Sequence, residues 1–135
     1  MAELDPEKAL FHDLNGIAVT FYENERPLRG LVGLLDWRFH GAISNHLRSG
    51  AVSGRAGECV YLPIHSSGGK IYHLILLGGG NAGEPGARKK VSGEALQALK
   101  KNISSLKLEK IGISRQDFGG ALPDGIEKWP VQVLK

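Results

Sequence analysis

The residues Ile71 to Leu77 are apolar except for His73, and they run directly into Gly78, Gly79 and Gly80. That run is far shorter than the ~20 apolar residues needed to cross a membrane, and it fits a strand buried on both faces. A buried strand that breaks at a glycine turn, then continues into basic residues and an amphipathic helix, constrains the chain to an α/β arrangement. In such folds an anion or ligand commonly sits at the carboxyl end of the strand. The candidate ligand-binding residues are therefore Gly78, Gly79, Gly80, Asn81 and Gly83 of the turn, with Arg88 and Lys89 beyond it.

A chain of 135 residues, 41% hydrophobic and 23% charged, is long enough to bury one core and too apolar for disorder. One domain over residues 1–135 is expected. Cys59 is the single cysteine, so no internal disulfide can form, and its apolar surroundings point to a packing role in a reducing compartment. No charged segment followed by an apolar one opens the sequence, and no apolar run approaches ~18 residues, so a cytoplasmic protein without membrane insertion is expected. The net charge of +3 is uneven: residues 86–115 carry 8 Lys and Arg against Glu94 and Glu109. Such an excess holds phosphates or polyanions, or is the solvated face of a helix and its flanks, which is the commoner case.

In chain order, Asp5-Pro6-Glu7 reads as a cap, a first-turn proline and an acidic first turn, predicting a short helix to about His12. Ile17, Val19 and Phe21 alternate with Ala18, Thr20 and Tyr22, a strand pattern, and Glu23 to Arg26 before Pro27 reads as a surface loop. Leu31, Leu34, Leu35, Phe39, Ala42, Ile43 and Leu47 recur at helical spacing, predicting one helix over 31–47 that Gly50 ends. The glycine-rich loop 49–57 follows. Val60, Leu62 and Ile64 mark a strand in which Pro63 marks the end or an edge position, joined through the turn 65–69 to the central strand as a hairpin. Ser92 caps a helix bearing Leu96, Leu99, Ile103 and Leu106, then Leu108 to Ser114 and Val131 to Leu134 are strand candidates. The sum is a mixed sheet with helices on its faces.

Arg29-Gly30-Leu31, Leu35-Asp36, Gly41-Ala42-Ile43-Ser44, Ser49-Gly50-Ala51-Val52-Ser53-Gly54, Gly57-Glu58 and Leu76-Leu77-Gly78-Gly79-Gly80 stand in an order that resembles the N-terminal domain of the leucyl (cytosol) aminopeptidase family. In particular the chain is similar to stand-alone bacterial proteins that keep only this domain. The resemblance covers about Ile17 to Ile113. It implies a macro-domain-like, three-layer α/β/α fold. It does not imply peptidase activity, because the family's two-metal site and bicarbonate-binding arginine belong to a separate C-terminal domain with an N-T-D-A-E-G-R-L signature, which this sequence lacks.

Gly78, Gly80 and Gly83 satisfy G-x-G-x-x-G, but Glu84-Pro85-Gly86 separates them from the next helix and Ser114 stands where a dinucleotide site needs an acid. The turn also resembles the diphosphate loop of ADP-ribose-binding macro domains, without the asparagine segment that precedes it there. A phosphate cradle of backbone N–H groups with Arg88 and Lys89 is weighed against a tight turn under a packed helix. His40 and His46, six apart on a single helix, cannot share a ligand face, and His65 and His73 lack further ligands, so no metal and no cofactor is expected. Cys59 and Ser66-Ser67 stand in no recognised nucleophile–base pattern, so nucleophilic catalysis is unsupported. Trp37 beside Arg38 is a core aromatic or an interface anchor, with the core preferred, whereas Tyr22, Tyr61 and Tyr72 are expected to be exposed. Three functions remain: a non-catalytic module acting through a protein partner or as a homo-oligomer, a nucleotide, ADP-ribose-like or nucleic-acid binder using 78–83 with 88–90, and, on the fold alone, an ADP-ribosyl hydrolase.

Overall fold

A computed structural model describes residues 14–65, 69, 71–84, 87–120 and 122–134. Its elements are β1 (Gly16–Phe21), α1 (Gly30–Arg38), α2 (Ala42–Ser49), β2 (Cys59–His65), β3 (Ile71–Gly78), α3 (Gly93–Ser105), β4 (Ile111–Ser114) and β5 (Val131–Leu134), with 3-10 turns at Gln116–Phe118 and Ile126–Lys128. The predicted helix over 5–12 and the hairpin turn at 66–68 lie outside the described residues.

The strands form one sheet in the order β2-β3-β1-β4-β5. β1 runs parallel to β3 and to β4, β4 parallel to β5, and β2 antiparallel to β3. Period-two alternation decides which side chains meet which helix. Ile17, Val19, Phe21, Leu74 and Leu76 pack with Val32 and Leu35 of α1 and Ile43 of α2. Ala18, Ile75 and Leu77 turn to the other face, against Ala95, Leu99 and Ile103 of α3. Helices therefore cover both faces, and the expected three-layer α/β/α arrangement is observed. Each fully buried Leu or Ile in these layers contributes ~1.5–3 kcal/mol, so the fold rests on these two apolar interfaces.

The edge position of β2 agrees with Pro63. Glu58 accepts from the Gly78 N–H at 2.7 Å, so in the antiparallel alternation the nitrogens of Cys59, Tyr61 and Pro63 face away from β3. Proline thus sits where the ladder needs no donor, and it blunts an otherwise open edge. α3 begins as the sequence predicts: the Ser92 hydroxyl accepts the Ala95 N–H at 3.2 Å.

The single helix over 31–47 is a wrong expectation. His40 and Gly41 adopt positive φ values of 56° and 80°, and the chain breaks into α1 and α2. The Gly41 N–H closes α1 on Asp36 O at 2.7 Å, while the Asp36 carboxylate accepts the Ser44 N–H at 2.9 Å and its hydroxyl at 2.5 Å, capping α2. Apolar periodicity does not register the break because both helices pack on one face of the sheet. His40 lies in the break itself, so it and His46 do not share a helix.

Candidate functional site

The carboxyl ends of β1, β3 and β4 converge on one edge of the sheet, and each delivers polar groups there. β1 runs out through Tyr22 into the turn bearing Glu25. β3 ends at Gly78. β4 ends at Ser114, and the 3-10 turn that follows it carries Asp117. Residues 87–91 cross these ends and place Arg88 among them.

The glycines allow a close approach of backbones. A Cβ on Gly78 would lie 2.0 Å from the Arg55 carbonyl oxygen, and one on Gly79 would lie 2.2 Å from the Tyr22 ring. Tyr22, expected at the surface, is buried at 1% exposure beneath this turn, and its hydroxyl accepts the Lys89 N–H at 2.8 Å. Tyr61 and Tyr72 are half-buried. The N–H groups of the turn are used internally: Gly78 donates to Glu58 O, Gly79 to Phe21 O at 2.9 Å and Gly80 to Gly54 O at 2.8 Å. Ala82 donates to Asn24 Oδ1 and Gly83 to Asn81 Oδ1, each at 2.8 Å. The Lys89 ammonium donates to Asn81 O.

Arg88 does not project from a basic face. Its guanidinium grips Glu25 through Nη1 at 2.8 Å and Nη2 at 3.0 Å, reaches Asp117 through Nε at 3.3 Å, and donates to the Arg29 and Ala87 carbonyls. It lies 5.1 Å from the centre of the Tyr22 ring. The side chains are nearly dry, with 9% exposure for Arg88, 1% for Glu25 and 3% for Asp117. Asp117 is tied to β1 as well: its Oδ2 accepts the Thr20 N–H at 2.7 Å, and the Thr20 hydroxyl donates to Asp117 O at 2.8 Å. Burial pushes the Asp117 carboxyl up to about 6, against the downward pull of the Thr20 N–H and Arg88. Burial opposes the charged form of Arg88, yet the hydrogen bonds it donates to Glu25 and both carboxylate charges outweigh it and the group is raised.

Bidentate recognition of Glu25 and a second contact to Asp117 make Arg88 the strut of this end of the sheet. It joins the β1 turn, the start of α1, the β4 turn and the segment after β3. Three of its partners, Glu25 (expected in a surface loop), Tyr22 and Asp117, escape sequence reasoning, as does Thr20 behind Asp117, since these contacts span 29 to 97 residues of sequence. The candidate turn residues and Arg88 and Lys89 are indeed brought together, but around the protein's own acids and carbonyls.

The histidines take other roles. Register puts His73 opposite Pro63 and His65 opposite Ile71, and His73 Nδ1 shares a hydrogen bond of 2.6 Å with the Tyr61 hydroxyl. Burial lowers the His73 imidazole from its ordinary value. Burial raises the Cys59 thiol, whose sulfur accepts from Asn102 Nδ2 at 3.3 Å. Among the described residues no group of three or more His, Cys, Asp or Glu is placed to hold a metal ion, and no helix is long and apolar enough to cross a membrane.

Comparison with known proteins bears on this arrangement. A solved structure of a tomato leucine aminopeptidase mutant is similar in fold, with a TM-score of 0.50 and 13% identity, over 90% of this chain and 29% of that one. The chain thus spans under a third of that enzyme's length. No curated protein matches significantly. The family model of the cytosol aminopeptidase family, N-terminal domain, matches residues 18–121. With that match covering most of its length, the chain belongs to the cytosol aminopeptidase family through the family's N-terminal domain.

Proposed function

We propose that this chain is a non-catalytic cytosolic module of the aminopeptidase N-terminal type, one that works by contact with another polypeptide. The observation that carries this reading is the occupied sheet end. Where α/β proteins open a crevice for a ligand, Arg88, Glu25 and Asp117 fill the space with their own ion pairs, and the N–H groups of Gly78, Gly79, Gly80, Ala82 and Gly83 are bonded within the chain. A phosphate at Gly78–Gly83 would have to displace those bonds and draw Arg88 away from two buried carboxylates, each of which would then lose its guanidinium contact. The match of residues 18–121 to the family's N-terminal domain is consistent with the same reading.

The test is direct. The purified protein is incubated with leucine-p-nitroanilide and manganese or zinc, and no hydrolysis is expected. Metal-dependent turnover by the chain would overturn the proposal. In parallel, melting is followed with ADP-ribose, ATP and oligonucleotides at low salt. A ligand-dependent rise in Tm that is lost in Lys89→Ala/Lys90→Ala would replace this reading with nucleotide or nucleic-acid binding.

A further inference from the structure

The outer side of α1, at its junction with α2, carries a surface that the sheet does not use. Trp37 was expected in the core, yet it is 71% exposed, the most exposed large apolar side chain among the described residues. Val32 and Leu35 take the inward positions of α1, and two residues beyond Leu35 the helix has turned by ~200°, so Trp37 faces outward. One turn before it is Gly33, whose lack of a side chain lets α1 lie against the Leu28 carbonyl; a Cβ there would meet that oxygen at 2.6 Å. The result is a depression of about 520 Å³ lined by Trp37, Pro27, Leu28, Asp36, His40 and Ser44 among others. At Ser44 it adjoins a second depression of about 190 Å³, lined by Arg26, Leu47 and Arg48.

Charge decides what such a groove accepts. The Arg26 guanidinium donates to the carbonyl oxygens of Tyr22, Glu25 and Ser53, and that of Arg48 donates to the Asn45 amide oxygen. Among the described residues neither positive charge meets a carboxylate. Asp36 is the single acid between Arg26 and Ser53, and both its oxygens are spent on Ser44. A second copy docked about a two-fold axis would set this basic, acid-poor face against itself, and the net charge of +3 opposes such pairing. Single-stranded nucleic acid is held by aromatic rings interleaved with cations, whereas here one ring stands among Pro27, Leu28 and Leu47. An aromatic anchor in a mixed apolar and polar depression, with arginines in the depression that adjoins it, has the composition of a protein-binding hot spot.

We propose that this groove binds an acidic, apolar segment of a partner polypeptide, with an apolar side chain against Trp37 and Leu28 and Asp or Glu carboxylates on Arg26 and Arg48. The inference rests on the contact-module reading above and gives that module its surface and the chemistry of its partner.

Anisotropy of a fluorescein-labelled peptide of repeated Asp-Leu-Glu-Phe units reads the binding, against a matched Lys-Leu-Lys-Phe peptide and labelled oligothymidylate. The acidic peptide is expected to bind in low salt, and the lysine peptide and oligothymidylate at least about tenfold more weakly. Trp37→Ala and Arg48→Glu, both at exposed positions, are each expected to weaken the acidic peptide by about tenfold or more while leaving the urea midpoint unchanged. Arg26→Glu is a second charge reversal, and Arg48→Glu alone suffices where that variant does not fold. Equal binding of acidic and lysine peptides, tighter binding of oligothymidylate, peptide binding unchanged by Trp37→Ala, or a concentration-dependent dimer abolished by Trp37→Ala would each overturn the proposal. Those outcomes leave the peptidase assay untouched, and turnover in that assay would sink the module reading without touching the peptide result.

Discussion

Replacing Arg88 by Met removes a guanidinium that makes two bonds to Glu25 at 2.8 and 3.0 Å and one to Asp117 at 3.3 Å, while keeping most of the side-chain bulk. It takes the guanidinium from two carboxylates whose side chains are 1% and 3% exposed, a site where the Arg29 and Thr20 N–H bonds remain but water cannot readily replace the lost positive charge. Breaking a buried ion pair from one side costs about 3–5 kcal/mol, because the uncompensated charge stays in a poorly solvated place. For a chain of this size that corresponds to a fall in Tm of ~10–20 °C, and to a drop in the urea midpoint of more than ~1 M. The effect is measured by urea unfolding followed by circular dichroism. Changing Arg88→Met, Glu25→Gln and Asp117→Asn together is expected to restore most of the loss, since the buried charges then vanish as a set. A loss below ~1 kcal/mol for Arg88→Met would refute the reasoning, because that is what a solvated surface pair contributes and Arg88 would then be free to meet an anion.

Three further outcomes follow from the same geometry. The Asp117 carboxyl holds its proton up to about 6 in the folded state and from 3.8 downward when unfolded, so the folded state binds more protons in between. Stability contributed by this group therefore declines as pH rises through that window, by about 3 kcal/mol in all. Asp117→Asn should flatten the slope, and identical slopes for the two proteins in urea titrations across the window would count against it. Gly79→Ala drives a methyl to 2.2 Å from the buried Tyr22 ring and should lose about 2 kcal/mol or more in Tm-derived stability. Gly93→Ala in α3, where the new methyl meets nothing, is the contrasting control and should be neutral or stabilising by ~0.5 kcal/mol. Ser92→Ala deletes the cap on the Ala95 N–H and should cost about 1 kcal/mol by urea unfolding, and a neutral result would show the cap is not formed in solution.

The elements that sequence reasoning found are those whose signal is local. Alternation in Ile17–Phe21, the apolar run Ile71–Leu77, the Ser92 cap and the leucine face of α3 each report on neighbours within a turn or a strand, and all are present. Pro63 left a strand end or an edge position open, and the sheet order decides for the edge. The break at His40–Gly41 was invisible for the opposite reason: α1 and α2 bury their apolar residues on the same layer, so the helical period runs on across a change of direction.

The sequence by itself determined the strands, the helical faces and, through the glycine spacing, the family and its layered α/β fold, because those follow from patterns read along the chain. Only the tertiary structure decided what the charged residues are for. Whether Glu25 is solvated or buried, whether Arg88 meets a ligand or two carboxylates, and whether Trp37 faces the core or the solvent depend on residues tens of positions away. Their energies are set by burial and by partners, and neither quantity exists until the sheet has brought the ends of β1, β3 and β4 together.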